Sequence, residues 1–61
     1  MALRPLTPVE LQVVETLIAD TEQMIGELTQ VLDPEEQAVQ GVRDVRAWLR
    51  GIRDTRMVGV P

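Results

Sequence analysis

Four arginines in the second half of the chain form the most regular group of residues that could do chemistry. They are Arg43, Arg46, Arg50 and Arg53. On a helix their side chains project within about 80° of one another. Such a basic edge can contact phosphates or an acidic protein, or it can be a solvated face that complements acidic residues and suits the end of a helix. We favour the solvated face, because the net charge of −4 differs from the positive excess of typical nucleic-acid binders.

Trp48 is the one aromatic residue and the second candidate for contact with a partner. Trp is enriched in the hot spots of protein interfaces, but it can equally fill the core of a bundle while its indole N–H meets a carboxylate or water. Both interpretations coincide if the partner is another copy of the chain, and we favour burial in that self-interface. No aromatic stacking platform accompanies the arginines, which argues against binding of single-stranded RNA.

Catalysis and metal binding have little support in the composition. The chain contains no Cys and no His, which excludes a disulfide framework, a structural zinc site and di-iron sites of the Glu-x-x-His type. Ser, Lys and Tyr are absent as well, so the usual nucleophiles are missing. Acid–base catalysis needs a sheltered pocket, and we interpret Glu15, Glu22 and Glu27 as a solvated face. We expect a non-enzyme without a metal or cofactor.

The first helix is predicted at residues 8–32, where its start combines several local signals. Thr7 is a good N-cap, Pro8 suits the first helical position and Glu10 completes a capping box. Beyond Pro8 the helix meets no further proline before the next boundary.

The second helix is predicted at residues 35–56, after a tight turn at 33–34. Asp33 suits the N-cap position, and Pro34 excludes the helical conformation at Asp33, so the first helix must end there. A connection this short forces the helices to be antiparallel neighbours. The tail at 57–61 contains β-branched residues, Gly and Pro, and is expected to be extended or frayed.

Apolar residues recur at alternating spacings of three and four along both helices, as in coiled-coil seams and four-helix bundles. The predicted seam consists of Leu11, Val14, Ile18, Thr21, Ile25, Leu28 and Leu32, then Ala38, Val42, Val45, Leu49, Ile52 and Arg56. A second stripe recurs every seven residues at Leu17, Met24 and Val31, and Trp48 flanks the seam of the second helix. Because a two-helix hairpin cannot bury both stripes, the predicted architecture is an all-α antiparallel hairpin that dimerises into a four-helix bundle.

The length of the chain leads to the same expectation. Residues 1–61 form one domain, and a core of that size supplies only about 3–5 kcal/mol. With disulfides and metals excluded, self-association or docking on a partner is the remaining source of stability. No apolar segment approaches the ~20 residues of a membrane span, and no signal-peptide pattern is present. We therefore expect a cytoplasmic protein without membrane contact.

A resemblance to a known family lies in the segment 32–38, whose sequence is LDPEEQA. This segment resembles the inter-helix turn of the Rop family of plasmid copy-number regulators, and the length and heptad seams are similar too. The resemblance implies a homodimeric four-helix bundle that binds paired RNA loops through a basic face of its first helices. Here the segment 7–32 carries no base and no Phe, so the residues for that RNA contact are missing. The resemblance therefore supports the architecture.

These patterns predict a non-catalytic protein-interaction module, such as an inhibitor, anti-activator or adaptor of phage or plasmid origin. It would act as a homodimer that docks on a larger protein through Trp48 and the four arginines, and nucleic acid is not the expected partner. The residues predicted to self-associate are Leu11, Val14, Leu17, Ile18, Met24, Ile25, Leu28, Val31, Val42, Val45, Trp48, Leu49 and Ile52.

Two alternatives remain open at this point. One is a Rop-like RNA-binding regulator that uses the arginines of the second helix. The other is a small structural subunit of a phage particle or other assembly, in which the tail at 57–61 lies on a neighbouring subunit.

Overall fold

The computed structural model describes residues 2–60 as an antiparallel helical hairpin whose two ends are joined by a small sheet. The elements in chain order are β1 (Ala2–Pro5), α1 (Pro8–Leu28), α2 (Gln37–Thr55) and β2 (Met57–Val60). The strands are antiparallel, with Leu3 opposite Gly59 and Arg4 opposite Val58. No helix in this part of the chain is long and apolar enough to cross a membrane.

The start of α1 has the capping box at the residues where the sequence places it. The Glu10 N–H donates to Thr7 Oγ1 at 3.1 Å, and the Thr7 N–H donates to Glu10 Oε1 at 3.0 Å. These two bonds satisfy N–H groups that have no partner within the helix. Pro8, which has no N–H to satisfy, occupies the first turn.

Glu10 also ties β1 to α1 through Arg4. The Arg4 guanidinium donates from Nη1 to Glu10 Oε1 at 2.7 Å and from Nη2 to Glu10 Oε2 at 2.5 Å. The hydrogen bond from Arg4, followed by the backbone hydrogen bond from Thr7, lowers the pKa of Glu10 to about 2. The same contact raises the pKa of Arg4. One carboxylate thus holds both the helix start and the strand before it.

The first helix is shorter than predicted, because it ends at Leu28 and not at Leu32. The Thr29 hydroxyl donates back to the Ile25 carbonyl at 2.9 Å. After it, the Gln30 and Val31 N–H groups bond three residues back and not four, which tightens the chain and ends the regular helix. Side-chain competition for helix carbonyls and a tightened last turn are usual ways for a helix to end.

The connection between the helices covers residues 29–36, so the predicted tight turn at 33–34 was wrong. Asp33 is the first residue of a β-turn in which the Glu36 N–H donates to the Asp33 carbonyl at 3.0 Å. Pro34 takes the second position of that turn, which its fixed φ suits. The N-cap of α2 is consequently Glu36, and its side chain makes no capping hydrogen bond. The helix spans 37–55 and not 35–56.

The core lies between the two helices. Its buried apolar side chains are Val14, Ile18 and Ile25 from α1 and Val39 and Leu49 from α2. Thr21 is buried among them, and its hydroxyl donates to the Ile18 carbonyl at 2.7 Å, which satisfies its polar atom.

The predicted seam of α2 was wrong at Ala38 and at Val45, both of which are exposed. Val39 is fully buried, whereas Ala38 is exposed. The spacings of three and four also fit a series through Val39, Val42 and Leu49, with arginines between them, and Val fills more of the space against α1 than Ala does. Arg46 and Arg53 complete that series half-buried, as long side chains do when their stems pack on apolar surface and their charges reach water.

The far end of the hairpin closes with a strand pairing that the sequence patterns did not predict. Residues 57–60 of the expected tail form β2, which pairs with the unpredicted strand β1; Met1 and Pro61 lie outside the described residues. The Leu6 N–H donates to the Arg56 carbonyl at 2.9 Å and continues the ladder. Arg56 was predicted to lie in the seam but is the exposed C-cap of α2, with φ of 57°, and it turns the chain into β2.

The contacts of Glu10 predict a specific acid sensitivity. Because the pKa of Glu10 lies at about 2 in the fold and near 4.5 otherwise, ionised Glu10 stabilises the fold above about pH 4.5. This contribution is lost as the pH falls towards 2. We expect Glu10→Gln to lower stability at neutral pH, and the difference from the wild type to shrink in acid, as measured by urea unfolding monitored by circular dichroism. Glu15→Gln is the matched control, and a difference for Glu10→Gln that is constant with pH would contradict the assignment.

Arg56 has a left-handed backbone conformation. This predicts that glycine is more stable than alanine at position 56, which is the reverse of the order inside a helix. A side chain with a Cβ costs about 1–2 kcal/mol in this conformation, so Arg56→Gly should be more stable than Arg56→Ala by about 1 kcal/mol. At Arg53, inside α2, the order should reverse, with Ala about 1 kcal/mol more stable than Gly. Thermal unfolding of the four variants measures both differences, and the same order at both positions would refute the conformation of Arg56.

Candidate interaction surfaces

The helices leave large apolar side chains exposed along one side of the hairpin. We call this surface the apolar side; it consists of Val9, Val13, Leu17 and Met24 of α1 with Val45 and Trp48 of α2. Trp48 is 63 % exposed and Val9 is 70 % exposed, so neither fills the core of the single chain. On α1 these residues are spaced by four or seven, which places them on one face beside the buried residues.

Two grooves show that the exposed residues of both helices face the same way. One groove, of about 290 Å³, is lined by Val13 and Leu17 of α1 and by Trp48 of α2. The other, of about 360 Å³, lies between Met24 of α1 and Val45 of α2. Because each groove is lined from both helices, the apolar side is a shared surface and not two separate stripes.

The charged residues that border the apolar side are acidic. Asp20 lies three residues after Leu17 and four before Met24, and Asp44 lies four residues before Trp48, so both carboxylates project next to the apolar residues. Both are exposed. The border of this surface is therefore negative.

The arginines occupy the other side of the hairpin. Arg50 is two residues from Trp48, which puts it about 200° around the helix. Its Nη2 donates to Glu22 Oε1 at 2.8 Å and bridges α2 to α1, and Arg53 Nε donates to Asp54 Oδ1 at 3.2 Å. Exposed pairs of this kind contribute about 0.2–1 kcal/mol. The sequence predicted that the arginines of α2 complement the acidic first helix. In the structure this contact consists of one ion pair, between Arg50 and Glu22.

The remaining two arginines differ in accessibility. Arg43 is exposed, and Arg46 is half-buried against the core. Arg43 and Arg46 are three residues apart and project from neighbouring turns. They form the part of the predicted basic edge that is still directed outward.

The residues predicted to self-associate separate into an inner and an outer group. The inner group lies between the helices of one chain and comprises Leu11, Val14, Ile18, Ile25, Leu28, Val42, Leu49 and Ile52, which are buried or half-buried. The outer group comprises Leu17, Met24, Val31, Val45 and Trp48, which are exposed. Val31 follows the end of α1 and so leaves the helical stripe.

Sequence reasoning missed Val9 as part of the exposed surface. Its spacing of four from Val13 and eight from Leu17 is a signal that places all three on one helix face. The predicted second stripe begins at Leu17, so Val9 lies outside both predicted stripes.

The carboxylates of α1 are arranged as a solvated face. Glu15, Glu22 and Glu27 are exposed. Across residues 2–60 there is no group of three or more His, Cys, Asp or Glu side chains that could hold a metal ion.

Comparisons of the chain with protein-family models, with curated proteins and with solved structures find no match. The resemblance to the Rop family accordingly rests on the segment 32–38 and on the similar length and heptad seams. The connection at 29–36 also differs from the minimal turn that this resemblance implies.

Proposed function

We propose that the chain is a non-catalytic protein-interaction module that self-associates as a homodimer of helical hairpins and docks on a larger protein. The observation that supports this proposal is the apolar side, whose six large residues are between 43 % and 70 % exposed. A contiguous apolar surface of this kind marks a site of interaction, because leaving it in water forfeits hydrophobic stabilisation.

The accessible surface area of the chain is evidence for an interface with a partner of the same size. It amounts to 4556 Å², whereas a monomeric protein of this mass exposes roughly 4000 Å². The excess of roughly 600 Å² approaches the ~800 Å² that each partner buries in an interface of standard size. A second copy of the chain carries an apolar side of the same dimensions, so the two surfaces can cover one another.

The small core is a second reason for self-association. Two helices supply a core of Val14, Ile18, Ile25, Val39 and Leu49 among the described residues, and single cores of this size leave a narrow margin of stability. Binding of a second copy to the folded state alone stabilises that state by mass action. Packing the apolar sides around a two-fold axis gives a four-helix arrangement.

In such a dimer the side of the hairpin that carries the arginines faces away from the other copy. Arg43 and Arg46 are the basic groups available there for an acidic surface of the larger protein, since Arg50 already pairs with Glu22. The pairing of Arg50 also removes part of the basic edge that an RNA-binding regulator would use.

Charge placed on the apolar side should dissociate the dimer without unfolding the hairpin. In Leu17→Glu/Met24→Glu both new carboxylates lie on exposed positions of α1, so the cost falls on the interface, where unpaired charges would be buried. We expect at least a tenfold weaker dimer by sedimentation equilibrium, with helix content retained by circular dichroism.

The matched control is Ala19→Glu/Gln23→Glu, which adds the same charge to the same helix at exposed positions away from the apolar side. It should leave the dimer close to wild type. A monomeric wild-type chain at micromolar concentration, or equal weakening by both variants, would overturn the proposal.

Ionic strength should strengthen this dimer. Each copy carries a net charge of −4, and the acidic borders at Asp20 and Asp44 approach one another when the apolar sides pack. Salt screens that repulsion over a Debye length of about 8–10 Å. The dissociation constant should therefore fall between low and physiological salt. A dimer that weakens with salt would instead indicate that the arginines of one copy contact the acids of the other.

A further inference from the structure

The sheet that closes the hairpin has a free edge on each strand, and the hydrogen-bond pattern tells which groups face outward. The Leu6 N–H donates to the Arg56 carbonyl, so this is a hydrogen-bonded pair, and such pairs alternate along an antiparallel ladder. The next pair, Pro5 with Met57, is therefore a non-hydrogen-bonded pair whose backbone groups point away from the other strand. The Met57 N–H agrees with this direction, because it turns to the Thr55 hydroxyl at 3.4 Å.

The outer edge of β1 is a poor template for another strand. By the same alternation, Leu3 and Pro5 direct their backbone groups outward. Pro5 has no N–H, and proline on an edge strand is a known way to prevent further pairing. Arg4, between them, would also meet an identical charge if two copies of β1 paired antiparallel.

The outer edge of β2 has a backbone donor and a backbone acceptor at both outward positions, and the Met57 donor makes one long bond to the Thr55 hydroxyl. Met57 and Gly59 each direct an N–H and a carbonyl outward, and Gly59 is exposed. The strand itself carries no charged side chain, since β2 has the sequence MVGV. An uncharged strand with donors and acceptors at both outward positions can pair with an identical strand.

We propose that β2 pairs antiparallel with β2 of a second copy, which gives a four-stranded sheet across the dimer. With Val58 on the two-fold axis, Gly59 of each copy lies opposite Met57 of the other. These two pairs exchange four hydrogen bonds once the Met57 N–H exchanges its long 3.4 Å bond to the Thr55 hydroxyl for the Gly59 carbonyl of the other copy. The corresponding pairing of β1 with β1 would form only two, because Pro5 donates none. This inference rests on the proposed self-association and names the strand through which it occurs.

Two features of the chain favour a second copy as the occupant of this edge. Val58 lines the same groove as Trp48 and Leu17, so strand pairing is continuous with the apolar side. The assembly also closes at two copies, because each chain has one competent edge and the outer edges of the four-stranded sheet are both β1 edges ending in Pro5.

N-methylation of single backbone amides tests this pairing, in the full chain made by chemical synthesis. Gly59→sarcosine removes an outward N–H of β2 and places a methyl group in the proposed interface, while the ladder with β1 stays intact. The matched control is Leu3→N-methylleucine, which blocks the outward N–H of β1. We expect Gly59→sarcosine to weaken the dimer at least about tenfold in sedimentation equilibrium, since one hydrogen bond is lost from each copy, and the control to leave it unchanged.

A mixed dimer of isotope-labelled and unlabelled chains provides a second readout. The proposed register puts the two Val58 Hα atoms close together across the axis, so an isotope-filtered nuclear Overhauser effect between them is expected. Dimers that survive Gly59→sarcosine at wild-type strength and lack this signal would overturn the strand pairing and leave the homodimer standing. A wild-type chain that stays monomeric would overturn both, and one that binds only a strand of another protein would overturn the choice of occupant.

Discussion

Two helices packed side by side can each cover only one strip of the other, and this constraint governs the rest of the molecule. The strip that they share holds Val14, Ile18 and Ile25 against Val39 and Leu49. Apolar residues continue beyond that strip on one side of the pair only, while Glu22 and Arg50 bridge the helices on the other. The hairpin is therefore amphipathic as a unit. One side carries the ion pair between Glu22 and Arg50, and the other exposes the apolar surface that we propose a second copy covers.

The closed end of the hairpin makes that surface well defined. Arg4, Thr7 and Glu10 connect β1 to the first turn of α1, and Arg56 turns α2 directly into β2. The sheet then joins the two ends of the chain, so the helices are linked both at the connection and at the opposite end. A two-stranded sheet of this length is marginal by itself. It lies beside the groove that contains Val58 and Trp48, so the proposed self-association and the proposed strand pairing would support one another.

Local signals predicted the parts of the fold that local contacts determine. The start of α1 is marked by three residues within one turn, and the structure has the capping box there. The connection was misjudged because Asp33 followed by Pro34 suits both an N-cap and a β-turn, and only the hydrogen bond from Glu36 separates the two. The strands were missed because β1 and β2 lie at opposite ends of the sequence. Each has only four residues, which is too short for an alternating pattern to predict a strand.

The candidate surface was predictable in outline for the same reason. A repeat of seven identified Leu17 and Met24, and the excess over a single seam identified Trp48. Spacings of three and four fit a seam through Ala38 and one through Val39, and only the packing of α2 on α1 decides between them, so Val39 was passed over in favour of Ala38. The outward direction of the Gly59 amide depends on the register of the sheet, which no residue pattern in the sequence contains.

In the proposed homodimer folding is coupled to association, and thermal unfolding measures this coupling. Thermal unfolding should be followed by circular dichroism over a range of concentrations from about 1 μM to about 100 μM. If the apolar side is covered by a second copy, the midpoint rises with concentration, because dissociation accompanies unfolding. A cooperative transition whose midpoint is independent of concentration, in a chain that sediments as a monomer throughout, would contradict the proposed homodimer.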